Sequence, residues 1–194
     1  MSLDTERLMK NARVHLPGAL DTVLLLELYN TVDQFLQESN IWQEDIEFAV
    51  SSANDASAVY YIEPQSTSAI VRLSGVTNSD DRPIAAMMDT PGEIVLAHAP
   101  SEDSTYTATV VLTIDDPVDP DGFPEFPQWI MNKYATSLLD GLVGRMMSQP
   151  AKPYTNPALG LNHLRKFRNA ISFAGTESVR RNVANSQAWR FPPF

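Results

Sequence analysis

The residue types that could do chemistry are present in this chain, but they are scattered. The histidines are His15, His98 and His163, and none has a second histidine or a glutamate at metal-ligand spacing. A metal site built from them would need the fold to bring them together. "DDPVDPDG" (115–122) holds four aspartates but lacks the alternating acidic positions and closing glutamate of a calcium loop. Each of its aspartates lies close to Pro or Gly, so it reads as turn chemistry. The carboxylate pairs Glu44/Asp45 and Asp80/Asp81 fall in expected loops or strand starts and read as solvated. With no cysteine, disulfides, thiol catalysis and thiolate zinc sites are excluded. "GLVGRMM" lies inside a helical pattern with no strand before it, so it is not a phosphate loop. There is no G-x-S-x-G stretch. The residues point to no enzyme, no metal and no cofactor.

Charge is more informative. The net charge is −10 over 194 residues. Residues 1–120 hold 5 Lys/Arg against 20 Asp/Glu, a net −15, and residues 121–194 hold 9 against 4, a net +5. The basic set is Arg165, Lys166, Arg168, Arg180, Arg181 and Arg190. Three readings fit it: a solvated helix face, a nucleic-acid contact, or a surface that meets an acidic protein or another copy of the chain. No nucleic-acid reading motif accompanies it. The tail "QAWRFPPF" is rich in aromatic residues, and it would promote aggregation unless it docks, either on its own core or on a partner.

These residues need elements to position them. "TERLMKNAR" reads as a short helix capped by Asp4. Pro17 suits the first turn of a second helix, in which Leu20, Val23, Leu24, Leu28, Val32, Phe35 and Leu36 recur at three- and four-residue steps. The period then changes to two. Ile46, Phe48 and Val50 alternate, as do Tyr106, Ala108, Val110, Leu112 and Ile114. Five or six short strands are expected, with "APSEDS" (99–104) as a hairpin loop between the last two. "QWIMNKYATSLLDGLVGRMMSQ" returns to helical spacing. One row is Ile130, Tyr134, Leu138, Leu142 and Met146; beside it run Met131, Ala135, Leu139, Val143 and Met147. Gly141 and Gly144 in such a helix imply a second backbone close by. Pro150, Pro153 and Pro157 then form a hinge. Asn156 and Pro157 begin a basic helix, or two helices joined near Gly175, whose apolar side is Leu161, Leu164, Phe167, Ile171 and Ala174. No apolar run approaches the ~18–20 residues of a membrane span, and the first residues lack the order of a secretory signal.

The order is helix, helix, β-block, helix, helix, aromatic tail. We therefore expect an α+β fold. A helical bundle would comprise residues 1–42 and 123–186, with an inserted antiparallel β-barrel or sandwich at 43–122 and an extended C-terminal arm at 187–194.

From Phe123 to Ala170 the chain carries an F-P-x-W stretch, a helix ending in glycines and methionines, "QPAKPYTNP", and a basic helix. In this it resembles the head–tail adaptor proteins of short-tailed bacteriophages, the tail tubular protein A class. The resemblance implies a structural virion protein, not an enzyme, made in the host cytoplasm and placed at the head–tail interface. It implies a homo-oligomeric ring, a dodecamer, between the portal protein and a tail or nozzle protein, with transient contact to genomic DNA and none to membrane. Leu20–Leu36 and Ile130–Met147 would be ring-wall helices. Trp189, Arg190, Phe191 and Phe194 would dock on the portal. Arg165, Lys166, Arg168, Arg180 and Arg181 would form a basic face toward a neighbouring subunit or the channel. The alternative is a receptor- or carbohydrate-binding β-module of a virion protein, with Tyr60, Tyr61 and Tyr106 as its candidate aromatics.

Overall fold

The computed structural model describes residues 3–55, 57–66, 68–115 and 126–181. The first helix, α1 (Leu3–His15), starts before Asp4, so Asp4 lies within its first turn instead of capping it. Pro17 is not in the first turn of the second helix either. It sits in a turn with Gly18, whose φ of 81° suits glycine, and α2 (Asp21–Ser39) begins three residues later. Arg13 pairs with Asp21 across this turn. Asn40, at φ 54°, closes α2 by donating its N–H to the Leu36 carbonyl, the left-handed cap that asparagine tolerates.

Among the described residues seven strands follow: β1 (Gln43–Val50), β2 (Val59–Tyr61), β3 (Ser68–Thr77), β4 (Pro83–Ile84), β5 (Ala86–Met87), β6 (Glu93–Leu96) and β7 (Ser104–Ile114). They form two antiparallel sheets, β1-β7-β3-β4 and β2-β6-β5. β6 and β7 lie in different sheets, so "APSEDS" is a link between sheets and not a hairpin. β7 is the centre of the larger sheet. It pairs with β1 from Gln43 opposite Val111 to Val50 opposite Ser104, and with β3 on its other side through two register shifts. The first and last long strands are thus direct neighbours, and the Leu112 N–H also bonds the Trp42 carbonyl.

The alternation in β1 and β7 sets the core. Ile46, Phe48, Val50, Ala108, Val110, Leu112 and Ile114 are buried, with Ile94 and Leu96 from the small sheet. The end of β7 departs from simple alternation, because Val111 and Thr113 are buried as well. α2 lies against that second face. There the Thr113 hydroxyl donates to Asp33 Oδ1 at 2.7 Å, so the polar residue of the strand is satisfied by a helix carboxylate.

After β7, α3 (Gln128–Met147) and α4 (Pro157–Arg181) form the largest helix contact, and α2 packs on both. All of Ile130, Tyr134, Leu138, Leu142 and Met146 are buried. Gly141 and Gly144 mark the close approach. A Cβ at Gly141 would lie 2.5 Å from Thr31 Cγ2 and 2.8 Å from Phe167 Cδ2; one at Gly144 would lie 2.8 Å from Leu164 Cγ. α4 is a single helix, and Asn156 caps it by accepting from the Leu159 N–H at 3.2 Å. Phe167, Ile171 and Ala174 form its buried stripe as expected, but Leu161 is 53% exposed. Gly160 takes the inward position instead, because a Cβ there would already be 3.1 Å from the Gly144 carbonyl. Among the described residues no helix is long and apolar enough to cross a membrane.

Candidate functional site

Folding does bring two of the scattered histidines together. His15 and His163 lie with ring centroids 6.1 Å apart, edge to face, and His163 Nδ1 is 2.6 Å from Asp140 Oδ1. His98 lies apart, after β6. Sequence spacing could not show the His163–Asp140 pair, since it forms across the α3–α4 contact. Among the described residues no hydroxyl hydrogen-bonds to either ring, and no group of three or more His, Asp or Glu could hold a metal. The pair ties two helices together. Lys133 binds Glu177 across the same contact, and Tyr134 donates to Glu177 Oε2 at 2.8 Å.

The paired carboxylates are likewise engaged by their own loops and strands. Glu44 Oε1 accepts the Gln65 N–H at 2.9 Å, and Asp45 Oδ1 accepts from the Thr109 hydroxyl at 2.6 Å. Asp80 and Asp81 belong to a turn organised by Asn78, whose Oδ1 accepts the N–H groups of Asp80 and Arg82. Asp103, which no sequence pattern singled out, joins two loops. It accepts from the Ser52 N–H at 2.7 Å, the Ser52 hydroxyl at 2.9 Å and the Ser51 hydroxyl at 3.0 Å. The Ser52 N–H, then the two hydroxyls, hold its carboxyl below the usual carboxylate range. The candidate binding aromatics do not gather into an open cleft. Tyr60 is buried and Tyr106 half-buried, both against the Phe48 ring, whereas Tyr61 is 74% exposed.

The basic set has a different setting. α4 buries Phe167, Ile171, Ala174 and Ser178, and that stripe turns Arg165, Lys166 and Arg168 outward, where all three are exposed. None of the three makes an ion pair among the described residues. The two α3 cations differ: Lys133 is bound by Glu177, and Arg145 reaches Gln34 Oε1 at 2.7 Å and Glu27 at 3.8 Å. Arg180 and Arg181 end α4, and their side chains fall outside the described residues, as do Trp189, Arg190, Phe191 and Phe194 of the expected arm.

The exposed side of α4 is also apolar, which the sequence pattern had not indicated. Phe173 is 64% and Val179 68% exposed, in addition to Leu161. Leu161, Arg165, Arg168 and Ser172 follow three- and four-residue steps along one flank, and Val179 lies on it two turns further on. Such a face can offer apolar area and positive charge together. The opposite charge lies on the β-block. Between Gln43 and Asp115 there are twelve acidic residues against Arg72 and Arg82, while residues 126–181 hold eight basic residues against Asp140 and Glu177. Asp45, Glu47, Asp55, Glu63, Asp80, Asp81, Asp89 and Glu102 are exposed.

No protein-family model matches the chain, and no curated protein matches it in sequence.

Proposed function

We propose that this chain is a structural, non-enzymatic virion protein of a tailed bacteriophage. It is one subunit of an adaptor ring, a dodecamer by resemblance, seated between the portal and a tail or nozzle protein and continuing the DNA channel. The observation that carries this reading is the outward face of α4, with three exposed cations that make no ion pair among the described residues and four exposed apolar side chains, Leu159, Leu161, Phe173 and Val179, on one helix. A β-block of net −10 and a helical region of net +6 on one chain suit head-to-tail contact, in which each subunit uses two different surfaces and the rotation closes a ring. The helices α2, α3 and α4 form the wall as a bundle. Trp189, Arg190, Phe191 and Phe194 dock on the portal, and Arg180 and Arg181 extend the basic face. Genomic DNA passes in transient contact.

Reversing Arg165, Lys166 and Arg168 to Glu tests this face. Assembly is expected to weaken, most strongly at low salt, where screening is least. Unchanged assembly at every salt concentration would make the face plain solvated helix. A second reading, the receptor- or carbohydrate-binding β-module, is favoured by exposed Val59, Tyr61 and Met87 on the small sheet. It calls for a monomer whose ligand binding is lost in Tyr61→Ala.

A further inference from the structure

Where β1 meets the helices, two adjoining concavities of about 420 and 720 Å³ share Trp42, Asp45 and Pro127. Trp129 and Ser178 wall one end, and Glu44 and Phe126 the other. The combined groove therefore offers aromatic and proline surface beside two carboxylates, and no cation lines it among the described residues. Its carboxylates are already oriented, Asp45 by the Thr109 hydroxyl and Glu44 by the Gln65 N–H, and each keeps acceptor capacity. Such a lining suits an extended peptide that carries aromatic rings, proline and one arginine. Proline-rich segments dock in aromatic-lined grooves because little chain entropy remains to be lost. Arginine adds a charge-assisted bond to a fixed carboxylate.

One such peptide is part of this chain: Trp189-Arg190-Phe191-Pro192-Pro193. The geometry points to its docking in this groove of its own subunit. Ser178 is in the groove wall, fixed there by donating to the Asn40 carbonyl at 2.6 Å and accepting from Gln43 Nε2 at 2.9 Å. α4 ends three residues later at Arg181, roughly 5 Å further at 1.5 Å per residue. The nine residues from Arg181 to Arg190 can span about 30 Å at ~3.3 Å each. The tail thus starts at the Ser178 end and can run along the groove toward Gln65, with Arg190 set against Asp45 or Glu44. Tethering keeps its effective concentration near millimolar, so a contact that is weak between separate molecules is enough. In the free subunit this holds the aromatic tail away from other copies, and a partner that takes the tail must compete with the groove. The inference rests on groove and tail alone and stands whether or not the chain forms a ring.

The absence of native cysteine makes a cross-linking test clean. Gln65→Cys with Phe194→Cys places one thiol at the far end of the groove and one after the docking residues. A control pair, Ser172→Cys with Phe194→Cys, uses an exposed site on α4 roughly 14 Å from the helix end, equally within reach. In dilute solution the first pair is expected to form an intramolecular disulfide at least about tenfold faster than the control, a ratio that tethering alone does not give. Arg190→Glu is expected to bring the rate down to the control, and adding Asp45→Arg to restore it. Equal rates for the two pairs, an unchanged rate with Arg190→Glu, or disulfides only between molecules would overturn the inference. The Arg190→Glu variant changes none of the described residues, so its result does not depend on whether the Asp45 variant folds.

Discussion

Gly141→Ala places a methyl group where α3 crosses α2 and α4. In an exposed helix the same change stabilises by about 1 kcal/mol, because alanine loses less backbone entropy on folding. Here the new Cβ would meet Thr31 Cγ2 at 2.5 Å and the Phe167 ring at 2.8 and 2.9 Å. Carbon atoms normally settle at about 3.5–4.0 Å, so the overlap is close to 1 Å against three atoms. Thr31 and Phe167 are both buried, and Thr31 is further held by donating its hydroxyl to the Glu27 carbonyl at 2.6 Å. Overpacking a tight core costs about 1–3 kcal/mol, and a triple overlap belongs at the upper end. The net expectation is a loss of about 2 kcal/mol, or about 4–8 °C in Tm for a chain of this size. Gly175→Ala, on α4, is the internal comparison. Its Cβ would sit 3.5 Å from the Ser39 carbonyl oxygen, an ordinary contact, so a gain of about 0.5–1 kcal/mol is expected. Urea denaturation of both variants at constant m separates the cases. If Gly141→Ala stabilised the protein as Gly175→Ala does, the close crossing of α3 would be wrong.

Other perturbations test other contacts. Leu138→Asp buries an unpaired carboxylate among α2, α3 and α4, and a loss of about 4 kcal/mol or more is expected by denaturant titration. Thr113→Val removes the hydroxyl that binds Asp33, at a cost of about 1 kcal/mol. In a cycle with Asp33→Ala that cost should vanish, and persistence of the full loss in the double variant would exclude the bond. Asp103 has its folded pKa lowered, so its contribution to stability is present above the unfolded carboxylate value of about 3.9 and is lost as pH falls through the folded value. Asp103→Asn should therefore flatten the acid limb of the stability profile below about pH 4, and an unchanged limb would show that the Ser51–Ser52 clamp is not formed in solution.

How much of this was legible in the sequence depends on how local the cause is. The rows Ile130–Met146 and Ile46–Val50 read correctly because one face of one element decides them. The Asn156–Pro157 start of α4 also read correctly, since the Leu159 N–H is the only partner it needs. The glycines of α3 announced a close backbone, but not which one. Pro17 was misread, since a proline suits a turn as well as a first helical residue, and Gly18 beside it decided for the turn. The hairpin at 99–104 failed for a nonlocal reason. β7 is long, and its flanks are filled by β1 and β3, which leaves β6 to the second sheet. Leu161 kept the helical spacing yet lies outside, because the neighbouring Gly160 takes the inward position, where α4 approaches α3 so closely that even a Cβ would be tight. The exposed partners of the basic face, Phe173 and Val179, stayed hidden because apolar residues are expected to be buried. The His163–Asp140 and Asp103 contacts depend on tertiary pairing alone.

The mass of the purified full-length chain, with particle images by electron microscopy, bears most directly on the proposal that it builds a ring. A single species near twelve times the monomer mass, seen as closed rings that dissociate in the Arg165/Lys166/Arg168→Glu variant, is expected. A monomer at every concentration and salt, with no rings in the images, would overturn the adaptor reading.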